Sequence, residues 1–158
     1  EPAGEPVAIA LPSKGRDEQE VCGQRVVCRA PGVITIREKA RGLRFVHALD
    51  PHSRAGRRRS MEAPLLSAGC YVIRTAKQEY RVELIDGVNI LAPDAHPLTE
   101  GMGAFLYWAD VAREGHDAWG RPARWHAFTW MNPDPDDAVN EVVLEGGVWV
   151  AELCRIHA

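Results

Sequence analysis

Residue types that could do chemistry are present in this chain, but their spacing assigns none of them a reaction. Six histidines, at positions 47, 52, 96, 116, 126 and 157, include no HxH or HxxxH pair, the spacing that places two imidazoles on one metal. If the chain has an acid/base or ligand pair, it is His116 with Asp117, joined by His126 should their strands pair. The acidic run NPDPDDAVNE has oxygen-bearing side chains at Asn132, Asp134 and Asp136, as a calcium loop would. It lacks that loop's glycine at the sixth position and has Val143 where the bidentate glutamate belongs, so it reads as a solvated turn. No GxSxG occurs, and Ser53, Ser60 and Ser67 have no context that would activate a hydroxyl. No metal site and no cofactor is expected.

Two clusters suit binding better than catalysis. Arg54, Arg57, Arg58 and Arg59 fall in one loop, DPHSRAGRRRS, where guanidinium groups could grip phosphate, pair with an acidic partner surface, or stay solvated. Five tryptophans are many for 158 residues, and Trp108, Trp119, Trp125 and Trp130 lie close together in sequence. Indole serves cores, protein interfaces and sugar platforms alike, so Trp119, Trp125, Phe128 and Trp130 are read as core or interface aromatics. A formal net charge of −3 argues against a nucleic-acid-coating protein. The longest apolar runs are too short to span a bilayer as a helix.

The elements that must position these groups are mostly strands. Gly69 to Leu91 holds two β-branched and aromatic runs, a polar break between them and an Asp86-Gly87 turn, the pattern of consecutive antiparallel strands. Further strands are expected at 7–11, 24–29, 33–37, 43–48, 125–131, 141–144 and 148–156, with SKGRDEQE as a polar loop and 93–103 as a Pro/Gly loop. Residues 43 to 48 alternate, with Leu43, Phe45 and His47 on one face. A short helix is expected over 104–114, and Gly146-Gly147 reads as the turn of a final hairpin. Trp125 to Met131 should carry large aromatics on both faces, and truncating Trp130, if fully buried, should cost roughly 3–5 kcal/mol.

These elements predict a mainly β fold: a single-domain antiparallel sandwich or barrel-like sheet over 7–158, with at most one short helix and an extended arm at 1–6. Cys22, Cys28, Cys70 and Cys154 contain no CxxC pair, and both buried thiols and a disulfide remain open.

Three segments resemble the dUTPase and dCTP deaminase superfamily: LSAGCYVIRTAKQEYRVE at 66–83, GHDAWG at 115–120 with Asp117 and Gly120 on its Asp and Gly motif positions, and VVLEGGVWVAELCRI at 142–156. The resemblance implies a β-rich trimer acting on deoxynucleotides. That family's Arg-Ser-Ser motif is not present; DAHPLTEGMG stands where it would fall. The leading expectation is therefore a non-enzymatic β-rich assembly or binding protein working as a homo-oligomer, of the kind used in a virion or envelope complex. The alternatives are a divergent deoxynucleotide hydrolase or deaminase, with Asp117 as base and Arg57 to Arg59 on phosphates, and a secreted ligand-binding domain.

Overall fold

The computed structural model describes residues 7–9, 19–21, 24–26, 28–50, 67–85, 89–90, 110–116 and 122–157. Within them the chain is β structure, with no helix. The strands are β1 (Val7–Ala8), β2 (Gln19–Val21), β3 (Gln24–Val26), β4 (Cys28–Arg29), β5 (Gly32–Glu38), β6 (Gly42–Leu49), β7 (Ser67–Thr75), β8 (Glu79–Ile85), β9 (Asp110–His116), β10 (Pro122–Met131), β11 (Val139–Gly146) and β12 (Val148–Ile156).

They form two main antiparallel sheets that stay separate and do not close into a barrel. One runs β1-β12-β6-β10-β9, with β4 also paired to β12; the other runs β5-β11-β7-β8. A small third pair joins β2 to β3. The core lies between the main sheets: Leu43, Phe45, Leu49, Val148, Val150 and Leu153 from one meet Ile34, Tyr71, Ile73, Leu84, Val142 and Leu144 from the other. Period-two alternation produces this layer, since β6 turns Leu43, Phe45 and Leu49 inward and leaves Val46 and Ala48 to a second cluster with Trp125, Trp149 and Ala151.

Four sequence expectations change. Residues 110–116 are strand β9 rather than the end of a helix, because a six-pair ladder to β10 supplies backbone hydrogen bonds that an isolated short helix beside Gly115 would have to make alone; residues 104–109 lie outside the described part. Gln19 and Glu20 leave the expected polar loop and, with Val21, form β2, which pairs with β3. The expected strand at 24–29 is split, β3 pairing with β2 and β4 with β12. The Gly146-Gly147 hairpin is not formed: β11 and β12 belong to different sheets. A type I′ turn needs positive φ at both central residues, and here only Gly146 has it, at 88°. Gly147 instead donates its N–H to the Ala68 carbonyl at 2.8 Å and accepts from Asp50 N–H at 2.9 Å, a backbone bridge from one sheet to the other. The arm at 1–6, the Asp86-Gly87 turn and the 93–103 loop lie outside the described residues.

A second junction is polar. Thr75 closes the β7–β8 turn, its Oγ1 accepting from Gln78 N–H at 2.8 Å, and its hydroxyl donates to Asp137 Oδ2 in the acidic turn before β11. Asn132 donates to the Ala40 carbonyl at 3.0 Å and accepts from Asp134 N–H at 3.0 Å. The acidic run is thus a turn that ties three connections together. Gly146→Ala should cost about 2 kcal/mol or more, because the new Cβ would lie 2.5 Å from the Ala68 carbonyl oxygen at a φ that alanine resists. Chemical denaturation of the variant checks this, and an unchanged midpoint would count against the sheet-switching geometry.

Candidate functional site

Strand register decides which histidines meet. β9 and β10 do pair, but His116 stands opposite Pro122 while His126 stands opposite Val111. About four residues of strand, roughly 13 Å, separate the two positions, so the expected convergence of His116 with His126 is not formed. The neighbour of His126 is His47, directly opposite it on β6. Asp117, Trp119 and the Arg54, Arg57, Arg58 and Arg59 loop lie outside the described residues.

His47 lies on the inner face of β6, fully buried. Its Nε2–H donates to the Asn89 carbonyl at 2.9 Å, so Nδ1 carries no proton and accepts from the Tyr71 hydroxyl at 2.5 Å. Asn89 is itself fixed at the end of β8: its Nδ2 donates to the Glu83 carbonyl at 2.9 Å and its Oδ1 accepts from Ile85 N–H at 2.8 Å. Aromatic rings close the surroundings. Phe45 stacks on Tyr71 at 4.1 Å and Phe128 on His47 at 5.9 Å between centroids. Burial pushes the His47 pKa down to about 4; the hydrogen bond to Asn89 opposes this, and His126 adds to it. The neutral imidazole therefore holds the sheets together with both nitrogens committed. The alternation of 43 to 48 placed His47 on the apolar face, but Tyr71 and Asn89 could not be matched to it without the sheet order.

The aromatic strand behaves as its alternation predicts, with one change of rank. Phe128 and Trp130 pack on the inter-sheet core and Trp125 on the opposite face. On this strand Trp125 is fully buried, whereas Trp130 is partly exposed and leans on Tyr80 at 5.4 Å. Cys70 and Cys154 are buried reduced thiols. Burial raises the Cys70 pKa; Arg81 opposes the rise and Glu145 and Glu83 add to it, so the thiol stays protonated. Among the described residues no group of three or more His, Cys, Asp or Glu side chains could hold a metal ion.

Among the described residues, the outer face of the four-stranded sheet carries a row of accessible ion pairs. Arg74 bridges Glu79 at 3.2 Å and Glu141 at 3.3 Å, and Arg81 pairs with Glu145 at 3.2 Å. At one corner the strands fall out of step. Between the pairs Val139↔Thr75 and Glu141↔Arg74, β11 has one extra residue, Asn140, and β7 has none. Against the same Asn140, β5 has two, Ile36 and Arg37, between Glu38 and Thr35. Each strand toward the edge thus gains a residue, which splays and twists the sheet. Arg37 sits at φ 55°, a conformation a side chain of its kind adopts at a cost of roughly 1–2 kcal/mol. The result is an open cleft of about 420 Å³ lined by Thr35, Arg37, Asn140 and Glu141.

Two outcomes follow. The unfolded chain protonates His47 near 6.5 and the folded one near 4, so the stability this residue contributes is complete above about pH 6.5 and is lost as pH falls through that window, by about 3 kcal/mol in all. Urea denaturation between pH 7 and pH 4 should show this slope, and His47→Gln should flatten it; an equal slope in the variant would remove His47 as its cause. Trp125→Ala should cost about 3–5 kcal/mol, and Trp130→Ala about 1–3, the reverse ranking excluding the packing described.

Comparison with known proteins adds no family to this geometry: no protein-family model, curated protein or solved structure matches the chain.

Proposed function

We propose that the protein is a non-enzymatic β-rich assembly or binding domain that works as an oligomer, with the outer face of its four-stranded sheet as the contact surface. One observation carries this reading. Val33, Val143 and Val72 are direct cross-strand neighbours on β5, β11 and β7, on the face turned away from the inter-sheet core; Val72 is buried beneath its neighbours and Val143 half-buried, so the apolar surface this row presents is centred on Val33. Val33, at the edge strand, is 45% exposed. Arg74 with Glu79 and Glu141 fills the adjacent row, while Arg81, opposite Val72 at the inner end of the valine row, pairs with Glu145. An exposed valine on an edge strand beside ion pairs is the kind of apolar contact a protein interface uses, and surroundings bearing both signs are compatible with a second copy of the same face. The His47 imidazole, chemically apt for acid–base work, is committed to holding the sheets.

Sedimentation velocity tests the proposal. The wild-type protein should sediment as an oligomer, and Val33→Asp should shift it to monomer without lowering the melting temperature of the monomer. Subunit number comes from the same measurement: three is what the dUTPase-like resemblance implies, and two is what a face meeting its own copy implies. A wild-type chain that stays monomeric at millimolar concentration would end the assembly reading.

A further inference from the structure

We propose that the cleft at the Arg37 corner binds a small zwitterion of the α-amino-acid type, Arg37 taking its carboxylate and Glu141 its ammonium. This goes beyond the assembly reading; because Glu141 also borders the proposed contact face, the titration that tests it is run on the Val33→Asp variant as well as on wild type, and only absence of binding in both counts against the cleft. Three linked features meet at the corner: the stepwise gain of residues from β7 through β11 to β5, the positive φ of Arg37 within that bulge, and the concavity of about 420 Å³ that the two produce. Bulges of this kind re-aim side chains, and backbone strain held at one surface position marks a place where geometry matters more than stability. The volume lies within the range of small-molecule sites.

The lining selects the ligand. Arg37 and Glu141 face the same cleft but are not paired with each other among the described residues; Glu141 gives Oε1 to Arg74 instead. That leaves a planar guanidinium suited to a carboxylate and an acidic oxygen, Oε2, suited to an ammonium. Thr35 and Asn140 can each donate and accept a hydrogen bond, which serves either end of the ligand. A phosphate dianion fits poorly, because Glu141 would share the cleft with its second charge. Fully apolar ligands find little to contact on four polar side chains.

The test separates the two halves of the ligand. Backbone amide signals of Thr35, Arg37, Asn140 and Glu141 are followed by NMR while the wild-type protein and Val33→Asp are each titrated with alanine, N-acetylalanine, alaninamide and inorganic phosphate. Alanine should give saturable shifts at these amides, and each half-ligand should bind roughly fivefold or more weakly. In Arg37→Gln, alanine should bind no better than alaninamide; in Glu141→Gln, no better than N-acetylalanine. Melting temperatures show whether the variants are folded, and if Glu141→Gln is not, the half-ligand comparison on wild type still decides. Absence of a saturable shift in both proteins, half-ligands as tight as alanine, or phosphate tighter than alanine would each overturn the proposal. Sedimentation of the same samples reads the assembly surface separately, so a monomer that binds alanine counts against assembly alone.

Discussion

The arrangement of this protein rests on a hydrogen bond between layers. Packing between two sheets is non-directional, and apolar faces that slide by one pair of residues lose little contact area. The Tyr71 hydroxyl on His47 Nδ1 removes that freedom, because it joins one residue of the four-stranded sheet to one residue of the six-stranded sheet at a fixed distance. His47 then reaches on to the Asn89 carbonyl, which fixes the end of β8 in the same stroke. Phe45 and Phe128 exclude water from the pair, and this exclusion strengthens the bond while keeping the imidazole neutral. A polar interaction inside the buried core therefore sets the register in which the valines, isoleucines and leucines meet.

With the layers locked, the irregularities collect at the rims. The Thr75, Asp137 and Asn132 turns gather one end of the sandwich, and Gly147 bridges the sheets where β11 passes into β12. The splayed Arg37 corner lies at the edge strand of the four-stranded sheet, where a departure from regular pairing disturbs one neighbour instead of two. Surface chemistry of the outer face follows the same division, with ion pairs over the regular rows and a cleft where the rows diverge.

Much of the fold was legible in the sequence because strands announce themselves locally. The alternation of Leu43, Phe45 and His47 and the paired runs of 67–75 and 79–85 needed no knowledge of partners. Partners were the difficulty. Gly146-Gly147 has the composition of a hairpin, and only the φ of a single residue and the sheet order show that it is a crossing. The helix expected over 104–114 rests on Phe105, Leu106 and Ala109 lying on one helical face, yet β10 offers residues 110–114 a ladder. The same limit governs the site: His126 was paired with the wrong histidine because register is a long-range property. The Arg37 cleft left no local signal, since a bulge is a mismatch in count between strands distant in sequence. Trp125 and Phe128 were placed on the correct faces by alternation alone, while how deep Trp130 lies depended on what packs over it.

The strand order also has a consequence for biosynthesis. β11 lies between β5 and β7, and β12 is the strand to which β1, β4 and β6 all pair. Interior positions of both sheets are therefore filled by residues after 138, while strands waiting for them are made a hundred residues earlier. During translation β5 has no neighbour in its own sheet, and its row of valine, isoleucine and threonine side chains stays exposed until β11 leaves the ribosome. Pairings so distant in sequence close slowly. A nascent chain of this topology is most exposed to aggregation just before β11 and β12 emerge, and there a holdase would have the greatest effect on yield.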